Sequence, residues 1–321
     1  MTKVLISDRT HEVLANRLRE AGIEVCVEPD HDYPSLLQAV QGFQGLVVRS
    51  KVNIDRAFID ACPTLRCIGR LGAGMETIDV AYAERRGISC LNSPEGNRDA
   101  VGEHTVGLLL ALLNHIHTAD AEVRHGLWQR EANRGRELGA LTVGIIGFGN
   151  MGQAFARRLA GFGCRTIYYD KYLDNLDNLE NLEKLEKLGN LERVSLETLQ
   201  QEADVVSFHV PLTDETHHYL DDAFIGAMAK PFYLLNTSRG AVVDSTALVE
   251  GLRSGKVLGA GLDVLEDENM QADSLAFSHS PLVAANLPNV VFTPHVAGWT
   301  VESKYKLAAV LADKIINTLK P

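Results

Sequence analysis

The sequence predicts an α/β fold of two doubly wound parallel-sheet domains, and three observations support this. The length of 321 residues predicts about two domains. Short apolar runs alternate with amphipathic stretches over residues 1 to about 97, and again over 141–298. A glycine-rich turn at 147–152 joins an apolar run to a segment with helical spacing. Alternating strands and helices predict parallel sheets covered by helices on both faces.

The first series predicts the elements of one domain. Its apolar runs predict strands at 4–6, 24–27, 46–48, 67–69 and 89–91. Helical stretches near 11–20, 35–42, 55–61 and 76–86 separate these strands. Residues 98 to about 123 are rich in leucine and alanine and predict one long helix. That helix is too long for one small layer, so we expect it to run between the two domains.

The second series predicts strands at 143–147, 166–170, 204–209, 233–236, 259–263 and 290–293. An amphipathic helix from about 301 to 319 follows all of them. Because it comes after the last strand of the second domain, we expect it to pack back on the first. The predicted division is therefore 1–98 with 299–321 as one domain, and 99–298 as the other.

One segment breaks this rhythm, because leucine recurs at every third position from 173 to 191. Steps of three in an α-helix drift by roughly 60° each, so the leucines form no single apolar stripe. The pattern indicates a repetitive, partly helical surface insertion. A surface for binding a partner is the alternative.

Composition excludes several classes of protein. The net charge of −11 argues against a nucleic-acid partner, which would need a basic face. The N-terminus is predicted to begin with a strand and lacks the apolar core of a signal peptide, so we expect no signal peptide. The longest apolar helical run is too short to span a bilayer. The five cysteines form no CxxC pair, which is typical of reduced cysteines in a cytoplasmic protein. No spacing of histidine, cysteine or aspartate suggests a metal site.

The glycine turn predicts a dinucleotide site. Gly147 allows the tight turn, Gly149 allows close approach of a pyrophosphate, and Gly152 lets the helix pack on the strand. Backbone N–H groups around Asn150 and Met151 would face the anion at the helix N-terminus. The next strand ends on Asp170, 18 residues after the last glycine, which suits hydrogen bonds to ribose hydroxyls. A 2′-phosphate would meet its negative charge, so the predicted cofactor is NAD.

Polar side chains follow three later strands of the same domain. Arg239, the acidic run that includes Glu266 and Glu268, and His295 each come just after a predicted strand. Ligands of open parallel sheets bind outside the carboxyl ends of the strands. We therefore expect an arginine, a carboxylate and a histidine to converge on one edge.

At these residues the chain resembles the D-isomer-specific 2-hydroxyacid dehydrogenases, which include D-3-phosphoglycerate dehydrogenases. The matching motifs lie at 69–79, 102–104, 126–128, 143–149, 209–213, 236–244, 261–263 and 293–295. The resemblance covers nearly the whole chain. It implies a discontinuous flavodoxin-like substrate domain, a Rossmann NAD-binding domain, an active site in the cleft, and a homodimer formed through the cofactor domain.

The resemblance also implies that Arg239, Glu268 and His295 are catalytic. A histidine can exchange a proton near neutral pH, and a carboxylate bonded to it would favour the charged ring and fix its orientation. Arginine suits a substrate carboxylate. Leu265 and Asn269 stand where the family has phenylalanine and proline, so Glu266 remains a rival for Glu268.

Further contacts follow from the resemblance. The positions expected to contact the cofactor beyond the glycine turn are Pro211, Thr237, Ser238, Arg239, Asp263, His295, Ala297 and Gly298. Those expected to contact substrate are Arg49, Ser50, Lys51, Gly72, Ala73, Gly74 and Arg239. The turn at 72–74 would offer backbone N–H groups to the substrate carboxylate.

The pair Arg49 and Lys51 suits a phosphate or second carboxylate, which favours 3-phosphoglycerate and a role in serine biosynthesis. Reduction of glyoxylate, hydroxypyruvate or another 2-keto acid is the alternative. An NAD-binding corepressor or redox sensor is the alternative of another class. The chain ends at Pro321, so we expect no C-terminal regulatory domain.

Overall fold

The computed structural model describes residues 2–173, 190–268 and 280–320. The chain divides into two compact units. Unit 1 comprises Met1–Arg98 and Trp299–Pro321, and unit 2 comprises Asp99–Gly298.

Unit 1 contains a five-stranded parallel sheet in the order β2-β1-β3-β4-β5. Its strands are β1 (Lys3–Ile6), β2 (Glu24–Val27), β3 (Gly45–Val48), β4 (Cys67–Arg70) and β5 (Ser89–Leu91). Alternate residues of a strand point to opposite faces, and β1 accordingly supplies Leu5 to one core and Val4 and Ile6 to the other.

Unit 2 contains a seven-stranded parallel sheet in the order β12-β11-β10-β9-β6-β7-β8. Its strands are β6 (Thr142–Ile146), β7 (Arg165–Tyr169), β8 (Leu191–Arg193), β9 (Val205–Phe208), β10 (Phe232–Asn236), β11 (Val257–Leu262) and β12 (Val290–Phe292). The order of connection reverses between β6 and β9. A ligand site is therefore expected at the carboxyl ends of these two strands.

The helices, in chain order, are α1 (Val13–Glu20), α2 (Tyr33–Ala39), α3 (Arg56–Asp60), α4 (Val80–Arg85), α5 (Arg98–Leu113), α6 (Ile116–Arg124), α7 (Asn150–Leu159), α8 (Leu196–Glu202), α9 (Asp222–Ala227), α10 (Ser245–Ser254), α11 (Pro281–Ala285) and α12 (Val301–Leu319). The last helix, α12, packs within unit 1, where Leu311 and Ile315 enter the core beside β1 and β4. It begins at a capping box in which Thr300 and Ser303 bond reciprocally. Among the described helices, none combines the length and the apolar character that crossing a bilayer requires.

The predicted parallel α/β architecture is confirmed, with two local differences. The single long helix predicted over 98–123 was wrong, because two helices, α5 and α6, occupy this stretch. His115 between them has a left-handed backbone, with φ 51°, which ends α5. The short edge strand β8 was not predicted, since three residues with little burial carry almost no pattern. The predicted leucine-rich insertion falls mainly on residues 174–189, which lie outside the described residues.

Candidate active site

The glycine turn between β6 and α7 leaves no room for side chains at two of its glycines. Gly147 has φ 88°, and a Cβ there would lie 2.5 Å from the carbonyl oxygen of His209 at the end of β9. A Cβ on Gly152 would lie 2.1 Å from the carbonyl oxygen of Gly147. The turn is thus packed against the end of β9 and the first turn of α7.

The space in front of α7 fits a pyrophosphate. A Cβ on Gly149 would meet no atom within 4 Å. Gly149 is also the N-cap of α7 and provides no side-chain cap for the helix, whose first turn holds Asn150 and Met151. An uncapped helix N-terminus facing open space attracts an anion through its N–H groups and its dipole. The residues present therefore fit the diphosphate of NAD.

Asp170 at the end of β7 ties two loops together. One carboxylate oxygen accepts a hydrogen bond from the backbone N–H of Phe148 at 2.6 Å, and the other accepts one from Tyr172 at 2.8 Å. Each carboxylate oxygen has a second lone pair, so Asp170 can still accept a bond from a ribose hydroxyl. The carboxylate is thus held beside the glycine turn, and its contact with the ribose stays a prediction.

The segment after β10 is shaped by a buried amide. The Asn236 side chain accepts bonds from the N–H and hydroxyl of Ser238 and donates to the carbonyl of Arg239. Thr237 lies beside them, with its hydroxyl 3.1 Å from that of Thr105 on α5. The role of Asn236 was not predicted, although a polar residue that ends a fully apolar strand is a signal for it.

Arg239 follows at a close crossing of two loops. Its guanidinium donates to the carbonyl of Ser238 at 2.6 Å. A Cβ on the next residue, Gly240, would lie 1.9 Å from the carbonyl oxygen of Leu265. Only glycine therefore allows the loop that carries Arg239 to lie against the loop that carries Glu268.

His295 contacts one of the two rival carboxylates. Its Nδ1–H donates to Oε1 of Glu268 at 2.8 Å, and the other oxygen of Glu268 accepts from the N–H of Leu265. Glu266 instead bonds to His218 at 2.5 Å and to the N–H of Ser245 at 3.2 Å. Although burial raises the pKa of Glu266, the bonds from His218 and Ser245 bring it below its ordinary value. Glu268 is thus the carboxylate that orients His295.

The loop that carries His295 is held by a buried carboxylate. Asp263 is 1% exposed. Its Oδ1 accepts from Val296 at 2.9 Å, and its Oδ2 accepts from Ala297 at 2.8 Å. The carbonyl of Asp263 accepts from the N–H of His295 at 2.8 Å. These bonds fix His295 in a left-handed conformation with φ 54°, which is uncommon outside glycine.

Another histidine, His104, supports Asp263 through the hydroxyl of Thr293. The hydroxyl of Thr293 donates to Oδ1 of Asp263 at 2.5 Å, and Nε2 of His104 on α5 lies 2.9 Å from that hydroxyl. The same nitrogen is 3.6 Å from Asp263 itself. His104 therefore belongs to the network behind His295. This contact could not be predicted from the sequence, because 189 residues separate His104 from Thr293.

The histidine at the end of β9 differs from His295 in its chemistry. Burial lowers the pKa of His209 to about 3, so its ring is neutral at physiological pH. Its Nε2 lies 2.8 Å from the hydroxyl of Ser207. A ring that stays neutral cannot serve as the acid in proton transfer.

The other positions expected to bind the cofactor lie on the same loops. Pro211, exposed after β9, accepts a bond from the hydroxyl of Thr216 at 2.6 Å. Ala297 is buried and Gly298 half-buried after the His295 turn. The structure thus assembles the unit 2 positions at the ends of β6, β7, β9, β10, β11 and β12.

In unit 1, the expected substrate positions follow β3 and β4. The guanidinium of Arg49 lies 5.2 Å from the ring centroid of Trp299, which is 69% exposed. Lys51 pairs instead with Asp30 at 2.8 Å, and Arg9 shares that carboxylate. Lys51 is therefore engaged in an ion pair, while the guanidinium of Arg49 stacks on an aromatic face. Ser50, between them, is half-buried.

The turn at 72–74 is braced by the residues that follow β5. The carbonyl of Gly72 accepts a bond from the N–H of Ser93 at 2.9 Å. The carbonyl of Ala73 accepts one from the side chain of Asn92 at 2.7 Å. Gly74 completes the turn. With its carbonyls used in this way, the turn is held in one conformation.

Comparison with known proteins gives consistent matches. Residues 106–297 match the family model described as "D-isomer specific 2-hydroxyacid dehydrogenase, NAD binding domain". A glyoxylate reductase of Thermofilum pendens is 36% identical over an alignment of 305 residues, which covers 92% of this chain and 86% of the relative. A D-3-phosphoglycerate dehydrogenase of Archaeoglobus fulgidus is 34% identical over 318 residues, covering 99% of this chain but 57% of the relative.

Solved structures agree with these matches. The crystal structure of D-lactate dehydrogenase from Aquifex aeolicus, complexed with NAD and lactic acid, has a TM-score of 0.80 and 28% identity. The alignment covers 97% of this chain and 94% of that chain.

Proposed function

We propose that Arg239, Glu268 and His295 are the catalytic residues of this chain. The chain belongs to the D-isomer-specific 2-hydroxyacid dehydrogenase family and is an NAD-dependent oxidoreductase of CH–OH groups. The main support is the contact of 2.8 Å between His295 and Glu268 at the same sheet edge as the glycine turn. The sequence left Glu266 and Glu268 as alternatives for the catalytic carboxylate. Of these two, Glu268 contacts His295 and Glu266 contacts His218.

Each of the three residues has a distinct task. NAD(H), when bound, accepts or supplies the hydride. His295 uses Nδ1 to bond Glu268, so Nε2 exchanges the proton with the substrate oxygen: it takes the hydroxyl proton in oxidation and returns it in reduction. Glu268 fixes the ring and stabilises its charged form. Arg239 holds the substrate carboxylate with a planar, permanently charged group.

For the substrate, we propose 3-phosphoglycerate and 3-phosphohydroxypyruvate, and thus a role in serine biosynthesis. Arg49 supports this, because its Nε is buried and has no hydrogen-bond partner among the described residues. A phosphate oxygen would satisfy such a donor. Glyoxylate or hydroxypyruvate is the alternative, favoured by the similarity to a glyoxylate reductase.

A substrate panel with Arg49→Gln tests this choice. We expect wild-type kcat/KM to be highest for 3-phosphohydroxypyruvate, and Arg49→Gln to raise KM for that substrate by about tenfold, as loss of one charged hydrogen bond predicts. The KM for glyoxylate should stay within about twofold, since glyoxylate carries no second anion. Arg9→Gln, at the exposed side of Asp30, is the control. Higher kcat/KM for glyoxylate or hydroxypyruvate would refute the phosphorylated substrate and leave the reaction class intact.

Asp170→Ala tests the cofactor preference. We expect the Kd of NADH to rise by about tenfold, because one charged hydrogen-bond acceptor is lost. Discrimination against NADPH should fall, because a negative charge no longer faces the 2′-phosphate. Fluorescence titrations with both cofactors measure this, and Asp214→Ala, exposed after β9, is the control. An unchanged ratio of NADH to NADPH affinity would contradict the role of Asp170.

We also propose that unit 2 forms a homodimer. Helix α6 and the segment that follows it contain several exposed large apolar side chains, namely Ile116, Val123, Leu127 and Trp128. Trp128 is 79% exposed. Exposed patches of large apolar residues are typical of interfaces. Sedimentation velocity tests this, and a monomer at micromolar concentration would exclude it.

A further inference from the structure

Two loops of unit 2 bring together three metal-binding side chains that are not among the proposed catalytic residues. His217 and His218 lie in the loop after β9, and Glu266 lies in the loop after β11. One donor atom from each of these residues lies within 4.8 Å of the other two. The rings of His217 and His218 stack with centroids 4.0 Å apart.

Two of the three donors are held in place by backbone and side-chain bonds. His218 has a left-handed backbone, with φ 51°, and its N–H donates to the carbonyl of Ala241 at 2.8 Å. Glu266 is fixed by the N–H of Ser245 at 3.2 Å and by Nε2 of His218 at 2.5 Å. His217 has an exposed side chain and can rotate towards this pair.

A fourth residue completes the surroundings of His218. Oδ2 of Asp244, the N-cap of α10, lies 3.6 Å from Nδ1 of His218. Histidines that bind a metal through one nitrogen commonly donate the other N–H to a carboxylate, which fixes the tautomer. Asp244 is placed to do this while Nε2 of His218 faces Glu266.

We propose that His217, His218 and Glu266 form a binding site for a divalent transition metal ion of the zinc class. Two imidazoles and one carboxylate favour Zn²⁺, Co²⁺ or Ni²⁺ over Mg²⁺ and Ca²⁺, which prefer oxygen ligands. In a tetrahedral site the ligand atoms lie about 3.4 Å apart, given metal–ligand distances near 2.1 Å. Rotation of the exposed His217 ring brings its nitrogen closer to the other two ligand atoms. Nε2 of His218 and Oε1 of Glu266, which lie 2.5 Å apart in a hydrogen bond, must separate to this distance as the ion replaces the proton between them. Water takes the fourth position.

Such an ion would join three segments that are distant in sequence. The loop after β9, the start of α10 through Asp244, and the loop 265–268 would all be tied to one centre. Glu268 reaches His295 from that last loop, so the ion would brace the segment that positions Glu268. The sequence predicted no metal site, because 48 residues separate His218 from Glu266.

Isothermal titration calorimetry with Zn²⁺ and the full chain, prepared without an affinity tag, tests the site. The quantity measured is metal binding and not enzyme turnover. We expect one equivalent to bind the wild-type protein. His217→Ala and Glu266→Gln should each weaken Kd at least about tenfold, since each removes one of three protein ligands. The matched controls are His125→Ala, another exposed histidine, and Asp267→Asn, an exposed acid in the loop of Glu266. Both should bind like wild type.

Two further readouts make the proposal refutable. Co²⁺ should give a tetrahedral d–d absorption spectrum in wild type that His217→Ala lacks. Zn²⁺ should raise the Tm of wild type and of both controls, but not that of His217→Ala, because a ligand stabilises only the state that binds it. Absence of stoichiometric binding to wild type, or equal binding to His217→Ala, would overturn the site. Neither outcome would bear on the hydroxy-acid reaction.

Discussion

Replacement of His295 by asparagine is expected to lower kcat by about 10³-fold, the usual range for loss of a general acid–base group. Asparagine tolerates the left-handed φ of 54° at this position, so the loop held by Asp263 should keep its shape. The Kd of NADH should change by less than about twofold, because asparagine keeps a polar side chain at this proposed cofactor-contacting position and proton transfer takes place only after NADH has bound. His295→Ala should lose activity in the same way, with added backbone strain.

Steady-state kinetics and NADH fluorescence titration measure the two quantities separately. His115→Asn is a matched control, since it makes the same replacement at a histidine with φ 51° between α5 and α6. It should keep the wild-type kcat. A wild-type rate for His295→Asn would remove His295 from the proposed mechanism, and a large loss of NADH affinity would point to a cofactor role instead.

The second large effect, a loss of both activity and stability, is expected for Gly240→Ala, although Gly240 has no side chain that could react or bind. The new Cβ would overlap the carbonyl group of Leu265, at 1.9 Å from its oxygen and 2.0 Å from its carbon. The loop of Arg239 and the loop of Glu268 must then separate. A shift of about 1 Å in a catalytic group can cost about 10²-fold in rate, and overpacking costs roughly 1–3 kcal/mol of stability. We expect kcat and Tm to fall together.

Gly226→Ala is the control, because a Cβ there meets no atom within 4 Å. It should leave both kcat and Tm near the wild-type values or raise Tm slightly, since alanine reduces the entropy of the unfolded chain. Steady-state kinetics measure kcat, and thermal unfolding measures Tm. If Gly240→Ala kept full activity, the close packing of the two loops would not be needed for the reaction.

Much of the fold and the cofactor site could be predicted from the sequence because the determinants are local. The β6–α7–β7 unit specifies its turn, its helix N-terminus and its acid within about thirty consecutive residues. Apolar runs likewise predicted the strands of both sheets. Where the local pattern was weak, prediction failed: β8 has three residues, and the break at His115 depends on one backbone conformation.

The sequence by itself determined the α/β class, the family and NAD, since these depend on residue type and short spacing. Only the tertiary structure decided which side chains touch. Glu266 and Glu268 are two residues apart in one loop, yet one bonds His218 and the other bonds His295. His104 reaches Thr293 across 189 residues. Such contacts depend on strand order and loop crossings, which bring distant segments within hydrogen-bond distance and leave no periodic signal in the chain.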